Sequence, residues 1–393
     1  MIDSRPQHVV IIGGGILGLS TAAHLARSGT AVTLVTAGSL ADGASGRSIA
    51  WLNSSGQRSA PYHYLRLLAM DRYRTWSARH PESRDYLRFD GGMKWAKPGE
   101  SLRSTFAFER SRGYDAVWVE RDDVAAFAPE VDPESVAAEG AIYNAGEGWV
   151  SLPDLISALA SEATANGATI IEQAGEVRAD VDRNSATGVV LGDGSRLAAD
   201  AVVLATGPGV PAQLAALGVT VPDSSPAAAV VFTDRIETEV RTVLNTPRVA
   251  VRPTPDGRLI LDSGWAERSI TVGEDGSINV PQESVQGLLD AASEVLVGAP
   301  RLTADRIGSG WKPIPGDGDP VAGAVPGIRG LFTLFTHSGA TLGLILGELL
   351  SEEILTGRPP HALAAFRIER FSTQPVVKAS GTDAWAPVAD AAN

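Results

Sequence analysis

The first regular pattern in the chain is a short, uninterrupted apolar run, Val9 to Ile12, rich in β-branched residues, which predicts a fully buried strand. Gly13-Gly14-Gly15-Ile16-Leu17-Gly18 follows directly. Beyond it, Leu19, Ala22, Ala23, Leu25 and Ala26 supply the apolar content of a helix through about Ser28. Gly29 stands where a left-handed helix stop is expected, and Ala31 to Val35 reads as a second apolar strand. Further along, Arg248 to Arg252 and Arg258 to Asp262 are strand-like and joined by Pro253-Thr254-Pro255-Asp256-Gly257, a strong turn signal. Gln282 to Val297 reads as a helix that buries Leu288, Leu289, Ala292 and Val295. The apolar stretch Leu331 to Leu350 is interrupted by His337, glycines and Glu348, so it predicts strand, turn and buried helix. The segment after Phe371 is small and polar and reads as a tail, and no internal repeat is visible.

The glycines at the amino terminus carry chemistry as well as shape. Gly13, Gly15 and Gly18 have the Gly-x-Gly-x-x-Gly spacing, set between strand and helix in a unit of about thirty residues. The first allows a tight turn, the second lets backbone approach a pyrophosphate, and the third lets helix pack on strand. The helix amino terminus adds N–H donors and partial positive charge, so the unit is read as a dinucleotide site. One feature departs from the pattern. The second strand usually ends in an acid that hydrogen-bonds the adenosine ribose, and Thr36 stands there. Asp42, on the next loop, is either a substitute or a solvated loop acid.

Composition narrows the partners. With 393 residues, 44% hydrophobic and 20% charged, the chain has the size of two domains and the balance of a soluble globular protein. Its 46 acidic and 33 basic residues give a net charge of −13, which disfavours nucleic acid or an anionic membrane as the main partner. No cysteine is present, which excludes disulfides, thiolate nucleophiles, iron–sulfur clusters and a cysteinyl–flavin bond. No apolar run is long enough for a signal-peptide core or a membrane span, and no metal site is expected. A cytoplasmic enzyme is the simplest expectation.

Gly13 to Arg27, followed by Ala44-Ser45-Gly46-Arg47-Ser48, resembles the glycine oxidase, sarcosine oxidase and D-amino-acid oxidase group of FAD enzymes. Gly148-Trp149-Val150-Ser151-Leu152-Pro153, Val202-Val203-Leu204-Ala205-Thr206-Gly207, Gly310 to Gly323 and Gly327 to Glu353 are similar to later segments of that family, in the same order. The resemblance implies an α/β fold: a Rossmann-type, glutathione-reductase-like FAD domain from 1–85, 145–215 and 305–371. Interleaved with it, an α+β substrate domain from 86–144 and 216–304 would be built on an antiparallel sheet, with 372–393 as the tail. It further implies non-covalent FAD held by Gly13, Gly15, Ile16, Leu17, Gly18, Thr36, Ala44, Ser45, Arg47, Ser48, Val177, Thr206 and Gly207. Gly339, Ala340, Thr341 and Leu342 would face the pyrimidine end of the flavin with their backbone N–H groups. Gly339 and Gly343 read as a turn that lets backbone come close to a ligand.

The activity implied is oxidation of the C–N bond of a small amine or amino acid, with electrons passed to O2 or another acceptor. The flavin carries the hard chemistry, and the protein holds a substrate C–H bond over it. A carboxylate-bearing substrate needs a cation in a partly dry pocket. Where glycine oxidase-like members place an arginine before a proline, this chain has Lys312, in Trp311-Lys312-Pro313, which loses the bidentate fork. His337 matches a position that overhangs the flavin, and Arg252 is a third candidate at the end of a substrate-domain strand. Tyr62, His63 and Tyr64 are candidates either for the pocket or for core packing, and Lys94 and Trp95 carry no assignment. The same fold also hosts hydroxy-acid and polyol oxidation, and a non-catalytic flavin-binding subunit is a further alternative. A homo-oligomer is compatible with all of these.

Overall fold

In the strand His8–Ile12, Val9 to Ile12 are apolar and buried because both faces of their sheet are covered. In this computed structural model, which describes residues 5–237 and 239–373, the strand sits inside a six-stranded sheet. The order is Val321–Ala324, Leu331–Phe335, Ala201–Leu204, His8–Ile12, Ala31–Val35, Thr169–Ile171. All neighbours are parallel except Val321–Ala324, which runs antiparallel to Leu331–Phe335. Val9 and Ile11 pack under a helical layer made of Ile16–Arg27, Ala60–Arg79, Leu152–Ala165 and Gly339–Thr356. Val10 and Ile12 pack on the opposite face, against Val189 of a three-stranded antiparallel sheet and against the helix Val210–Ala216.

The first and last long helices of this layer cross closely, and glycine makes that possible. A Cβ on Gly343 would fall 2.4 Å from Ile16 Cγ1, and one on Gly347 would fall 2.2 Å from Ser20 Oγ. Gly343 therefore serves helix packing; it does not open a ligand approach as the sequence suggested. The helix ends on Gly357, whose φ of 67° is the expected left-handed stop.

The second sheet has eight strands, in the order Ala304–Trp311, Ala227–Thr233, Leu259–Asp262, Ala250–Pro253, Val243–Asn245, Gly92–Lys94, Ala141–Asn144, Val117–Val119. It is antiparallel as expected except at one junction, where Val243–Asn245 runs parallel to Gly92–Lys94. That junction joins two chain segments far apart in sequence, so no hairpin forces them antiparallel. Ala304–Trp311, expected in the first domain from residue 305, hydrogen-bonds along Ala227–Thr233 and so extends this sheet instead.

Period-two alternation gives the eight-stranded sheet two different faces. Val231, Leu244, Val251 and Leu261 point into a core with Val285, Leu288, Leu289, Ala292 and Val295 of the helix Gln282–Val295. Val230, Asn245, Ala250 and Asp262 point the other way, onto a cavity shared with the first sheet. The sequence-based helix at 282–297 and the two strands around the 253–257 turn agree with this arrangement to within two residues. The tail expectation falls mainly on residues outside those described.

Candidate active site

The cavity is about 930 Å³, at the upper end of what ligand sites occupy. It begins at the glycine turn. Gly13 has a φ of 124°, and a Cβ there would sit 2.3 Å from Ala205 O. A Cβ on Gly18 would sit 2.0 Å from Gly13 O. These two glycines are fixed by backbone-to-backbone packing. Gly15 differs: its only close neighbour is Ser45 Oγ at 3.2 Å, and its other side is cavity. Ser45 Oγ also accepts from Ile16 N at 3.2 Å, tying the loop after the second strand to the first helical turn.

Most of the residues expected at a cofactor line this cavity: Gly13, Gly15, Ile16, Leu17, Thr36, Ala44, Ser45, Arg47, Ser48, Val177, Thr206, Gly207, Gly339, Ala340 and Thr341. Two do not. Gly18 lies behind the turn as the packing glycine. Leu342 is fully buried, and its N–H is spent on Ser338 O at 2.9 Å, the first bond of its own helix. Thr206 Oγ1 is buried with no partner, a polar atom on the cavity wall ready for a ligand. Thr36 lines the wall, while Asp42 pairs with Arg47 at 3.3 Å.

At the far end the cavity is charged. Lys312 lies on its wall, yet its ammonium is already engaged. It hydrogen-bonds the Glu267 carboxylate and has Asp262 Oδ2 at 3.8 Å. Burial opposes the Lys312 charge, but Asp262 and Glu267 outweigh it and hold its pKa up. Glu267 is pushed up to about 7, by burial first and by Asp262 second, against the pull of Lys312. His337 is exposed on the cavity wall. Its pKa falls to about 3 because protein surrounds it and because Lys312, Arg58 and Arg66 all repel a proton there.

Arg252 does not line the cavity. It is 3% exposed, donates to Ile49 O at 2.9 Å, Pro253 O at 3.0 Å and Ser48 O at 3.4 Å, and stacks near Trp149. Its three carbonyl partners make it a clamp on the 48–49 loop. That loop is itself cavity wall, so Arg252 supports the site from behind. Tyr62 is buried and bonds Ser338 Oγ at 2.7 Å, His63 bonds Ser54 Oγ at 2.7 Å, and Tyr64 is exposed. None of the three lines the cavity.

Sequence reasoning missed two arginines. Arg66, on the helix Ala60–Arg79, is 2% exposed and has only neutral partners: Asn53 O at 2.7 Å, Asn53 Oδ1 at 3.0 Å, Ser338 Oγ at 2.5 Å, and Tyr62 and Thr341 hydroxyls at 3.4 Å. Arg58, on the loop before that helix, also lines the cavity. Apart from Tyr62, four residues from each, Arg66's partners come from other elements and Arg58 has no hydrogen bond among the described residues, so the local pattern marks neither. Lys94 does reach the cavity, paired with Glu109 at 2.5 Å and Ser55 Oγ at 2.5 Å. Behind it Glu147 accepts from Tyr114 at 2.5 Å and Trp51 Nε1 at 2.8 Å, and its carboxyl is pushed up to about 7, chiefly by burial.

The family model for DAO, FAD dependent oxidoreductase, matches residues 8–353. The chain belongs to this family of FAD-dependent oxidoreductases. Glycine oxidase of Geobacillus kaustophilus (strain HTA426) is 26% identical over 382 residues, 92% of this chain and 96% of that one. The crystal structure of that enzyme superposes with a TM-score of 0.77 at 25% identity, covering 93% of this chain and 99% of the other. L-amino acid deaminase from Proteus myxofaciens, in complex with anthranilate, shares the fold at a TM-score of 0.80 but only 17% identity, over 94% of both chains. The cofactor of the family is FAD, and the glycine cradle with its open Gly15 and the unpartnered Thr206 hydroxyl fits such a group. Among the described residues no helix is long and apolar enough to cross a membrane.

Proposed function

We propose that this chain oxidises the C–N bond of a small amine or amino acid to an imine, which water hydrolyses. The observation that carries the reading is one continuous cavity, glycine cradle at one end and a cluster of cations and carboxyls around His337 at the other. Bound FAD supplies the two-electron acceptor, and the chain supplies position and charge. Gly13 to Leu17, Ser45 and Thr206 would hold the dinucleotide. The Gly339–Thr341 turn, braced by Arg66 on Ser338 and Thr341, would face the flavin. The positive charge of Arg66 favours the ring when it gains negative charge.

The choice of C–N over C–O rests on the nitrogen substrates that similar proteins are named for. An amine needs only to arrive without its ammonium proton, and Glu267 on the same wall can take it. The relatives named glycine oxidase and L-amino acid deaminase are consistent with nitrogen substrates.

The test is anaerobic titration of the purified flavoprotein with amines, amino acids and 2-hydroxy acids in turn, following the oxidised-flavin absorption. Bleaching by nitrogen substrates alone is the expected result, with release of ammonia or amine. Bleaching by hydroxy acids alone would refute it.

A further inference from the structure

The sequence points to Lys312 as the group that holds a substrate carboxylate, but the charges on the cavity wall are arranged otherwise. Lys312 is flanked by two carboxyl groups, Glu267 and Asp262, so it brings no net positive charge to that corner. Asp262 is 8% exposed, and its Oδ1 is buried with no hydrogen-bond partner. A carboxylate docking there would meet an excess of negative charge. Across the cavity the situation is reversed. Arg58 forms no ion pair and no hydrogen bond among the described residues, and its Nε is buried without a partner. The Tyr62 ring lies beside it, 5.4 Å from the guanidinium carbon to the centroid, and Tyr114 and Glu147 act on it from farther off. Burial and the nearby Arg66 depress its pKa to about 10, still cationic at neutral pH. A half-buried guanidinium with a buried, unpartnered Nε and no anion in hydrogen-bond contact is costly to maintain unless a ligand supplies that contact.

We infer that Arg58 is the anion anchor of this site, and that Asp262 and Glu267, with Lys312 between them, form the subsite for the substrate's basic nitrogen. The substrate class is then a small molecule with a carboxylate and an amine, bound in the opposite sense to one held by Lys312. Arg58 presents a planar fork that matches a carboxylate with two parallel hydrogen bonds, which a lysine cannot do. The inference deepens the amine-oxidising reading, and it rests on that reading only for the nitrogen subsite.

The experiment uses the FAD-loaded protein and two probes that undergo no turnover requirement: acetate for the anion subsite and methylammonium for the cation subsite. Each is titrated while the oxidised-flavin spectrum is followed, in wild type, Arg58→Gln, Arg58→Lys, Lys312→Met and Asp262→Asn. Acetate affinity should fall at least tenfold in R58Q, about 1.4 kcal/mol. It should recover in part in R58K and stay within about threefold of wild type in K312M. Methylammonium affinity should fall in D262N and hold in R58Q. Loss of acetate binding in K312M with retention in R58Q would overturn the inference, as would a wild-type protein that binds no acetate. An R58Q protein that loses FAD but keeps acetate affinity would assign Arg58 to the cofactor and overturn it equally. If amines never bleach the flavin while acetate still depends on Arg58, the amine-oxidising reading fails and the anion subsite stands.

Discussion

Replacing Gly15 and Gly18 by alanine, one at a time, separates the glycine that faces the cofactor from the one that the fold itself requires. At Gly18 the new methyl would lie 2.0 Å from Gly13 O and 3.1 Å from Gly13 C. Both are backbone atoms, so no side chain can turn aside, and the helix Ile16–Arg27 must move off the strand. Overpacking of that kind costs roughly 1–3 kcal/mol. At Gly15 the φ is −85°, ordinary for alanine, and only Ser45 Oγ lies near, at 3.2 Å. Alanine there gains about 0.4–1 kcal/mol from the less mobile unfolded chain, offset by the slight crowding of Ser45. Apoprotein stability in Gly15→Ala should therefore stay within about 1 kcal/mol of wild type. The methyl, however, projects where a pyrophosphate must approach backbone, and FAD affinity should fall at least tenfold, about 1.4 kcal/mol. Denaturant unfolding of both apoproteins and fluorescence titration with FAD measure the two quantities. Gly15→Ala unfolding as easily as Gly18→Ala, or binding FAD as wild type does, would refute this division of labour.

Two further outcomes follow from the buried polar groups. Arg252→Met strands three carbonyls, Ile49, Pro253 and Ser48, and should lower stability by roughly 2–4 kcal/mol. Because Arg252 does not touch the cavity, KM should change by one common factor for amines with and without a carboxylate; a rise confined to the former would make it a substrate ligand. Glu147, ordinarily near 4.5 and here about 7, is easier to protonate folded than unfolded. Its contribution is complete below about pH 4.5 and is lost as pH climbs through 7, a difference on the order of 3 kcal/mol. Glu147→Gln should flatten that decline in denaturation curves between pH 5 and pH 8, and an unaltered slope would contradict it.

The backbone plan was legible because local steric demands wrote it into the chain. Gly13 and Gly18 can be nothing else at their separations, Gly29 and Gly357 end helices with positive φ, and Val9 to Ile12 are apolar because they have no solvent face. The catalytic end was not legible to the same degree. Whether Lys312 is a free cation depends on Asp262 and Glu267, some fifty residues earlier and brought beside it by the strand Leu259–Asp262 and the short helix after it. Arg252 carried the right chemistry at a strand end, but the pleat turned it toward backbone carbonyls of the 48–49 loop. Ion pairing of this sort is a property of the assembled fold, and a single residue's identity does not report it. The residues that the resemblance assigned to the cofactor lie on the cavity wall where backbone shape dictates it, and Leu342 lies off that wall because its helix consumes its N–H.

The crossing of Ile16–Arg27 with Gly339–Thr356, through Gly343 and Gly347, has a consequence for the birth of the protein. The helix Ile16–Arg27 leaves the ribosome some three hundred residues before its partner Gly339–Thr356. At about 5–20 residues per second, tens of seconds separate the two. In that interval the apolar flank of Ile16–Arg27 has no native cover from its closest neighbour, and the central strand lacks Leu331–Phe335 beyond Ala201–Leu204. Nascent chains halted before about residue 339 should therefore be aggregation-prone and call on holdase chaperones, whereas synthesis past Thr356 lets the sheet and its helical cover close in one cooperative event.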